Sequence, residues 1–247
     1  MVETLISDKN PLLKEVRRLA AGGPLGEHRL ALAEGPHLLD EALRSRIEIH
    51  AVILAESARD VPEDKLGATR VVRVLDTIFN KLASTESPQG VLALVRMPEW
   101  TAGDVLAGTP LVVVLDGVQD PGNAGTILRT AEAFGATGAV FLKGAVSASN
   151  PKCLRASAGS AFRVPIVIEI PPGLTLYAAD PRAKLSVADA RFAGPCAIII
   201  GAEGSGVRPE LAARATGLKI PTANVESLNA AVAAGILLYE ARRQRNT

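Results

Sequence analysis

The sequence predicts an α/β protein of two domains: a small α/β domain over residues 1–104 and a parallel α/β domain over residues 105–247. Three observations carry this expectation. In the second half, Leu111–Leu115 and Cys196–Ile200 are uninterrupted aliphatic runs, the pattern of strands buried on both faces in a parallel sheet. Each run leads into a polar, glycine-bearing loop and then toward a helical pattern, as β-loop-α units do. In the first half, strand and helix patterns alternate with short connections over about 95 residues, the rhythm of a small α/β sandwich.

Composition bounds the possibilities. At 247 residues, 48% hydrophobic and 3% aromatic, the chain has an aliphatic core and is too apolar for disorder. A net charge of +1 gives no polyanion signal from the total. Residues 1–104 carry 13 basic and 16 acidic side chains, and residues 105–247 carry 14 and 10, an asymmetry too mild to decide anything. Cys153 and Cys196 lie in apolar or small-residue surroundings and read as reduced core thiols. No metal-ligand spacing surrounds them, and His28, His37 and His50 are far away in sequence. No metal is expected. No basic-then-apolar leader opens the chain, and the apolar stretch Ala230–Tyr239 is too short to span a bilayer. The expected compartment is a reducing cytoplasm, with no membrane partner.

Taken in order, residues 1–8 read as a frayed lead. Asn10-Pro11 supplies a cap and first position for a helix over Leu12–Ala21. Its apolar face is Leu12, Leu13, Val16 and Leu19; its other face carries Lys14, Arg17 and Arg18, which is either ordinarily solvated or an RNA contact. Gly22-Gly23-Pro24 ends the helix. Arg29–Glu34, His50–Ala55, Arg70–Leu75 and Gly90–Val95 read as strands, with helices from Gly35-Pro36 to about Arg44 and near Asp76–Ala83. Met97–Pro110, with prolines, glycines and the lone Trp100, reads as the linker between domains.

In the second domain Leu111–Leu115 is followed by a Gly/Pro-punctuated loop, Asp116–Gly125. A helix is expected from about Thr126 to Phe134, then a strand from Ala139. Pro151–Ala158 has helical spacing; Phe162–Ile170, Leu174–Ala179 and Cys196–Ile200 read as strands. Pro209–Ala215 reads as a helix and Leu218–Ile220 as a short strand. Ser227 is the expected N-cap of a last helix, Leu228–Arg243, whose end carries Arg242, Arg243 and Arg245, favourable at a helix C-terminus.

Three polar loops thus follow buried strands: Asp120–Gly125, Gly201–Gly206 and Pro221–Asn229. In a parallel sheet they emerge at one edge, where such sheets hold ligands. They offer Asn123, Glu203, Ser227 and Asn229, with Arg129 one helical turn beyond the first loop. A dinucleotide fits poorly. Gly122 and Gly125 alone, or Gly201, Gly204 and Gly206 in reversed spacing, do not spell G-x-G-x-x-G, and no phosphate loop ending in Gly-Lys-Ser/Thr appears.

The segments LDGVQDPGNAGTILRTAEAFGA, IIIGAEGSGV and IPTANVESLNAAVAAGILLYEARRQ resemble the three ordered motifs of the SpoU (TrmH-type) RNA ribose 2′-O-methyltransferases, a branch of the SPOUT superfamily. NPKCLRASAGSAFRVPI is similar to the stretch between the family's first two motifs. NPLLKEVRRLA, LALAEGPHLLDEAL and STESPQGVLALV resemble the ribosomal-protein-like RNA substrate-binding domain that many members place ahead of it. The resemblance covers nearly the whole chain.

The resemblance implies a SPOUT domain with a deep trefoil knot, which no periodicity shows. It implies a homodimer with its site at the subunit interface, S-adenosyl-L-methionine as methyl donor, and RNA as substrate, ribosomal RNA before transfer RNA. Backbone groups at Gly201, Ile220 and Leu228 would hold the cofactor. The family's functional side chains fall on Asn123, Arg129, Glu203, Ser227 and Asn229. Lys14, Arg17, Arg18, Lys152, Arg155 and Arg163 would meet RNA phosphates. Two departures stand out: the third motif reads Ile220-Pro221-Thr222-Ala223-Asn224-Val225 without the usual methionine and glycine, and Ala202 stands where Asn is common. Retention of Asn123, Arg129, Glu203 and Asn229 speaks against a catalytically silent RNA-binding or ribosome-assembly factor.

Overall fold

Aliphatic runs assemble two separate sheets in the computed structural model, which describes residues 2–5, 9–25, 28–59, 61 and 63–245. In chain order the elements begin with β1 (Val2–Leu5), α1 (Pro11–Ala20), β2 (Leu30–Glu34), α2 (Pro36–Arg44) and β3 (Ile49–Ala55). They continue with β4 (Arg70–Val74), α3 (Asp76–Phe79), β5 (Val91–Arg96), α4 (Ala102–Val105), β6 (Leu111–Asp116), α5 (Pro121–Ala133) and β7 (Gly138–Phe141). Then come α6 (Pro151–Ser157), β8 (Ile166–Val167), β9 (Thr175–Ala179), β10 (Leu185–Ser186), β11 (Cys196–Gly201), α7 (Pro209–Ala212), β12 (Thr216–Lys219) and α8 (Ala230–Arg245). The chain divides into two units: Met1–Pro98 with Ser149–Phe162, and Glu99–Ala148 with Arg163–Thr247.

The first unit holds a five-stranded sheet in the order β1-β4-β3-β5-β2. β1, β4 and β3 run parallel, and β5 is antiparallel to both β3 and β2. The expected lead at residues 1–8 is therefore partly a strand, with Val2 opposite Val71 and Leu5 opposite Val74; residues 1 and 6–8 lie outside the described residues. β2 is buried along its whole length, since α1 and α2 lay their leucines over the sheet. Asn10 caps α1 as its sequence suggests, its Oδ1 accepting from Leu12 N at 2.9 Å.

The second unit holds a seven-stranded sheet in the order β10-β12-β9-β11-β6-β7-β8, parallel throughout. β6 and β11 are neighbours at its centre, with Asp116 directly opposite Gly201. That register sends the first and second loops out side by side. The expected linker is not structureless. Thr101 and Asp104 form a reciprocal capping box that starts α4, and Val105 is buried against the sheet. Gly138 permits that packing, because a Cβ there would lie 2.8 Å from the Val105 methyls.

The start of α5 differs from expectation because a better cap lies upstream. Asp120 caps α5 and Pro121 occupies its first turn, so the helix begins five residues before Thr126. The long strand expected over Phe162–Ile170 shortens to Ile166–Val167, preceded by a 3-10 turn at Ser160–Phe162. No helix among the described residues is long and apolar enough to cross a membrane.

The first unit is pinned by a buried carboxylate. Glu34, 3% exposed at its side chain, accepts from the amides of Ser84 (3.1 Å) and Thr85 (3.2 Å), from both their hydroxyls, and from Arg155 Nη1 at 2.8 Å. It thereby ties β2 to the 84–85 loop and to α6. Truncating one partner of such a pair strands the rest, which costs about 3–5 kcal/mol. Glu34→Ala is therefore expected to lower the stability of the first unit by about 3 kcal/mol in urea unfolding; an unchanged midpoint would remove this cluster from the account.

Candidate active site

The site starts with the first turn of α5. Asp120 Oδ1 accepts from Asn123 N at 2.7 Å, which fixes Asn123 on the helix rather than on a free loop. Both ends of its amide are then used. Asn123 Nδ2 donates to Glu203 Oε1. Asn123 Oδ1 accepts from Asn229 Nδ2 at 3.1 Å. Asn229 in turn turns its own Oδ1 onto the amides of Ala231 (2.9 Å) and Val232 (3.3 Å), and so is the N-cap of α8. Three loops that are distant in sequence converge on one side-chain amide.

The second loop is built for closeness. A Cβ on Gly201 would fall 2.1 Å from the Gly206 carbonyl carbon, so only glycine fits. Ala202 and Gly206 exchange both backbone hydrogen bonds, at 3.1 and 2.8 Å, and Gly206 takes φ +69° to close the turn. Glu203 stands exposed at the tip. The loop's far end is fastened by Arg208, whose backbone N and Nε donate to the two oxygens of buried Asp116 at 2.8 and 2.5 Å. Arg208 Nη2 also reaches the Lys143 carbonyl at 2.9 Å. Sequence reasoning passed over this pair. The available signal was an aspartate closing a solid aliphatic run, where burial demands a cationic partner.

The third loop keeps Thr222 Oγ1 donating to the Val225 carbonyl at 2.7 Å. Ser227, the expected cap, is exposed two residues short of the real one. Ile220 and Leu228 are half-buried at the two ends of this otherwise polar stretch. Two half-buried aliphatic side chains beside backbone-rich turns suit a ligand with a planar apolar part and a polar part.

Arg129 does not join the amide network. It lies six residues past Asn123, about 9 Å further along α5 and about 120° around it. It is exposed, and among the described residues no ion pair occupies it. The six basic residues expected at RNA are placed unequally. Lys14 and Lys152 are exposed and Arg17 is half-buried. Arg18 is clasped by Glu15 (2.8 and 2.6 Å) and by the Pro24 carbonyl (2.5 Å), and its guanidinium holds the Glu15 carboxyl below its ordinary range. Arg155 is committed to Glu34. Arg163 forks onto Glu132 at 2.5 and 3.0 Å.

Comparison with known proteins bears on this geometry directly. The profile of the SpoU rRNA methylase family matches residues 110–239, the span that contains all three loops. The chain belongs to the SpoU rRNA methylase family. The profile of the MRM3-like substrate binding domain matches residues 10–93. An uncharacterized tRNA/rRNA methyltransferase of Synechocystis is 37% identical over 99% of this chain and 95% of its own length. The 23S rRNA guanosine 2′-O-methyltransferase RlmP of Bacillus subtilis is 32% identical over 96% and 98%. Among solved structures, the SpoU methyltransferase AviRb of Streptomyces viridochromogenes, in complex with S-adenosylmethionine, superposes with a TM-score of 0.84 at 26% identity, covering 97% of this chain and 99% of that one. The matched span of residues 110–239 contains Asn123, Glu203 and Asn229.

Proposed function

We propose that this chain methylates ribose 2′-hydroxyls of ribosomal RNA in the cytoplasm, using S-adenosylmethionine, as a homodimer. The meeting of Asn123, Glu203 and Asn229 at the mouth of a parallel sheet is the observation that carries this reading. It is supported by the family membership, and by relatives that act on ribosomal RNA and a neighbour in complex with the same cofactor.

The cofactor supplies an electrophilic methyl group when bound. Ile220 and Leu228 provide half-buried apolar surface for its adenine, and the backbone around Gly201 and the 220–228 loop provides polar contacts. Glu203 has one oxygen held by Asn123, which leaves its other oxygen to orient a donor on the substrate. Asn123 serves as the bracket that keeps Glu203 and Asn229 at fixed spacing, which is what an in-line displacement needs. Ser227 lines the same exposed loop.

Arg129 is assigned no proton abstraction, because guanidinium groups do not act as bases in proteins. Its role is to grip the phosphate next to the target ribose and to stabilise the alkoxide as the 2′-hydroxyl loses its proton to water. Because Arg129 stands clear of the amide network of its own subunit, it is free to engage RNA.

The dimer reading rests on α8. Val232, Ile236 and Tyr239 stand 51%, 36% and 55% exposed at spacings of four and three, one stripe on one helix face. Apolar side chains aligned in that way mark a contact surface, and a second copy offering the same stripe would cover it with two-fold symmetry.

Two measurements test these statements. A 2′-O-methyl group blocks alkaline cleavage of the adjoining phosphodiester. Cells lacking the gene should therefore lose one protected position in ribosomal RNA. The parent should restore it, and Arg129→Ala, at least about 100-fold slower, should not; full restoration by Arg129→Ala would end its assigned role. Sedimentation should find the parent dimeric and Ile236→Glu monomeric, while a monomeric parent would refute the dimer.

A further inference from the structure

The first unit contains a pocket of about 490 Å³, lined by Leu12, Glu15, Arg18, His28, Leu30, His50, Arg70 and Leu94. It lies on the sheet beside α1, and its floor is aliphatic: Leu12, Leu30 and Leu94 are all buried. Its walls are planar. The His28 and His50 rings are 19° from parallel with centroids 6.3 Å apart. Arg18 and Arg70 bring two guanidinium planes whose edges are already held, by Glu15 and by Glu3. The side chains of Arg18 and Arg70 remain 37% and 47% exposed.

Both histidines are set by breaks in regular backbone. β3 and β5 pair Ile49 with Val95 and Ala51 with Leu94, so His50 is the extra residue of a β-bulge with no partner opposite. Bulges re-aim a side chain out of the strand's alternation. His28 precedes Arg29, which takes φ +53°, a left-handed conformation uncommon for a residue other than glycine. Both imidazoles are exposed. Neither ring therefore contributes burial to the core, and the paired placement has no packing purpose.

We infer that this pocket takes an unpaired nucleobase of the RNA substrate, stacked on the His28 and His50 rings with the guanidinium planes of Arg18 and Arg70 as further stacking surfaces. The inference rests on RNA being the substrate. An apolar floor with flat imidazole and guanidinium walls matches the face of a base, and proteins recognise single-stranded RNA by stacking splayed bases on such groups. Because Glu15 and Glu3 offset both arginines, the pocket selects for planarity rather than for bulk negative charge. Arg18 thus reaches RNA by its face and not as a phosphate clamp.

The test uses the full-length protein and a labelled mixed-sequence single-stranded RNA of twelve nucleotides, with the same length of duplex RNA alongside. The parent should bind the single strand more tightly than the duplex. The double variant His28→Ala/His50→Ala should lose roughly tenfold in single-strand affinity, and His28→Phe/His50→Phe should stay close to the parent because it keeps two flat rings. Both sites are exposed, so the variants should fold, which circular dichroism checks. An alanine double variant that binds as the parent does, or a phenylalanine variant as weak as the alanine one, would overturn the inference. Methylation of ribosomal RNA by the parent is scored separately, so a failed pocket and a failed activity give different results.

Discussion

The carboxamide of Asn123 is the junction on which the geometry of the candidate site depends. A side-chain amide has one donor end and one acceptor end, and here each is spent on a different loop: the NH₂ on Glu203 and the oxygen on Asn229. No other side chain of that length could do both. Aspartate would repel Glu203, and leucine would satisfy neither loop. Asp120 fixes the amide's position from below through the first turn of α5. The arrangement works only because β6 and β11 are neighbours in register, which brings Asp116 opposite Gly201 and delivers the first two loops to the same place.

Around that amide, rigidity is supplied by arginine clasps on buried and backbone acceptors. Buried Asp116 accepts two hydrogen bonds from Arg208 and so locks the exit of the second loop to the end of β6. At the other end of α8, Arg245 donates to the carbonyls of Thr109, Pro110, Phe192 and Gly194 at 2.7–2.9 Å, holding the helix over the strand starts. Nearby, Glu240 is gripped by Arg243 and Gln244, which hold its carboxyl down at about 2. Cys196 sits beneath the same clasp, and burial pushes its thiol up, in keeping with an inert core cysteine rather than a reactive one.

Much of this was legible in the residues. Solid aliphatic runs identified β6 and β11, because strands covered on both faces cannot alternate. The three loops, and Asn123, Glu203 and Asn229 on them, followed from strand ends and turn residues. What stayed illegible was competition between neighbouring signals. Ser227 and Asn229 are both good caps, and only the reach to Asn123 makes Asn229 the one used. Thr126 looked like a helix start because Asp120-Pro121-Gly122 reads equally well as a turn. His28 and His50 carried no signal at all: a β-bulge and a left-handed arginine are decided by pairing across the sheet, not by local sequence. Basic residues misled in a different way. A sequence shows charge, but whether an arginine meets solvent or a buried carboxylate, as Arg155 meets Glu34, depends on a residue 121 positions away.

The claim that Asn123 joins two loops into one working site is tested most directly by a double-mutant cycle on methyl transfer to ribosomal RNA, with Asn123→Ala and Asn229→Ala singly and together. Residues that act through a shared hydrogen bond are non-additive. The double variant should be no slower than the slower single variant. Losses that simply multiply would mean the two asparagines act independently, and the amide would not be the junction described.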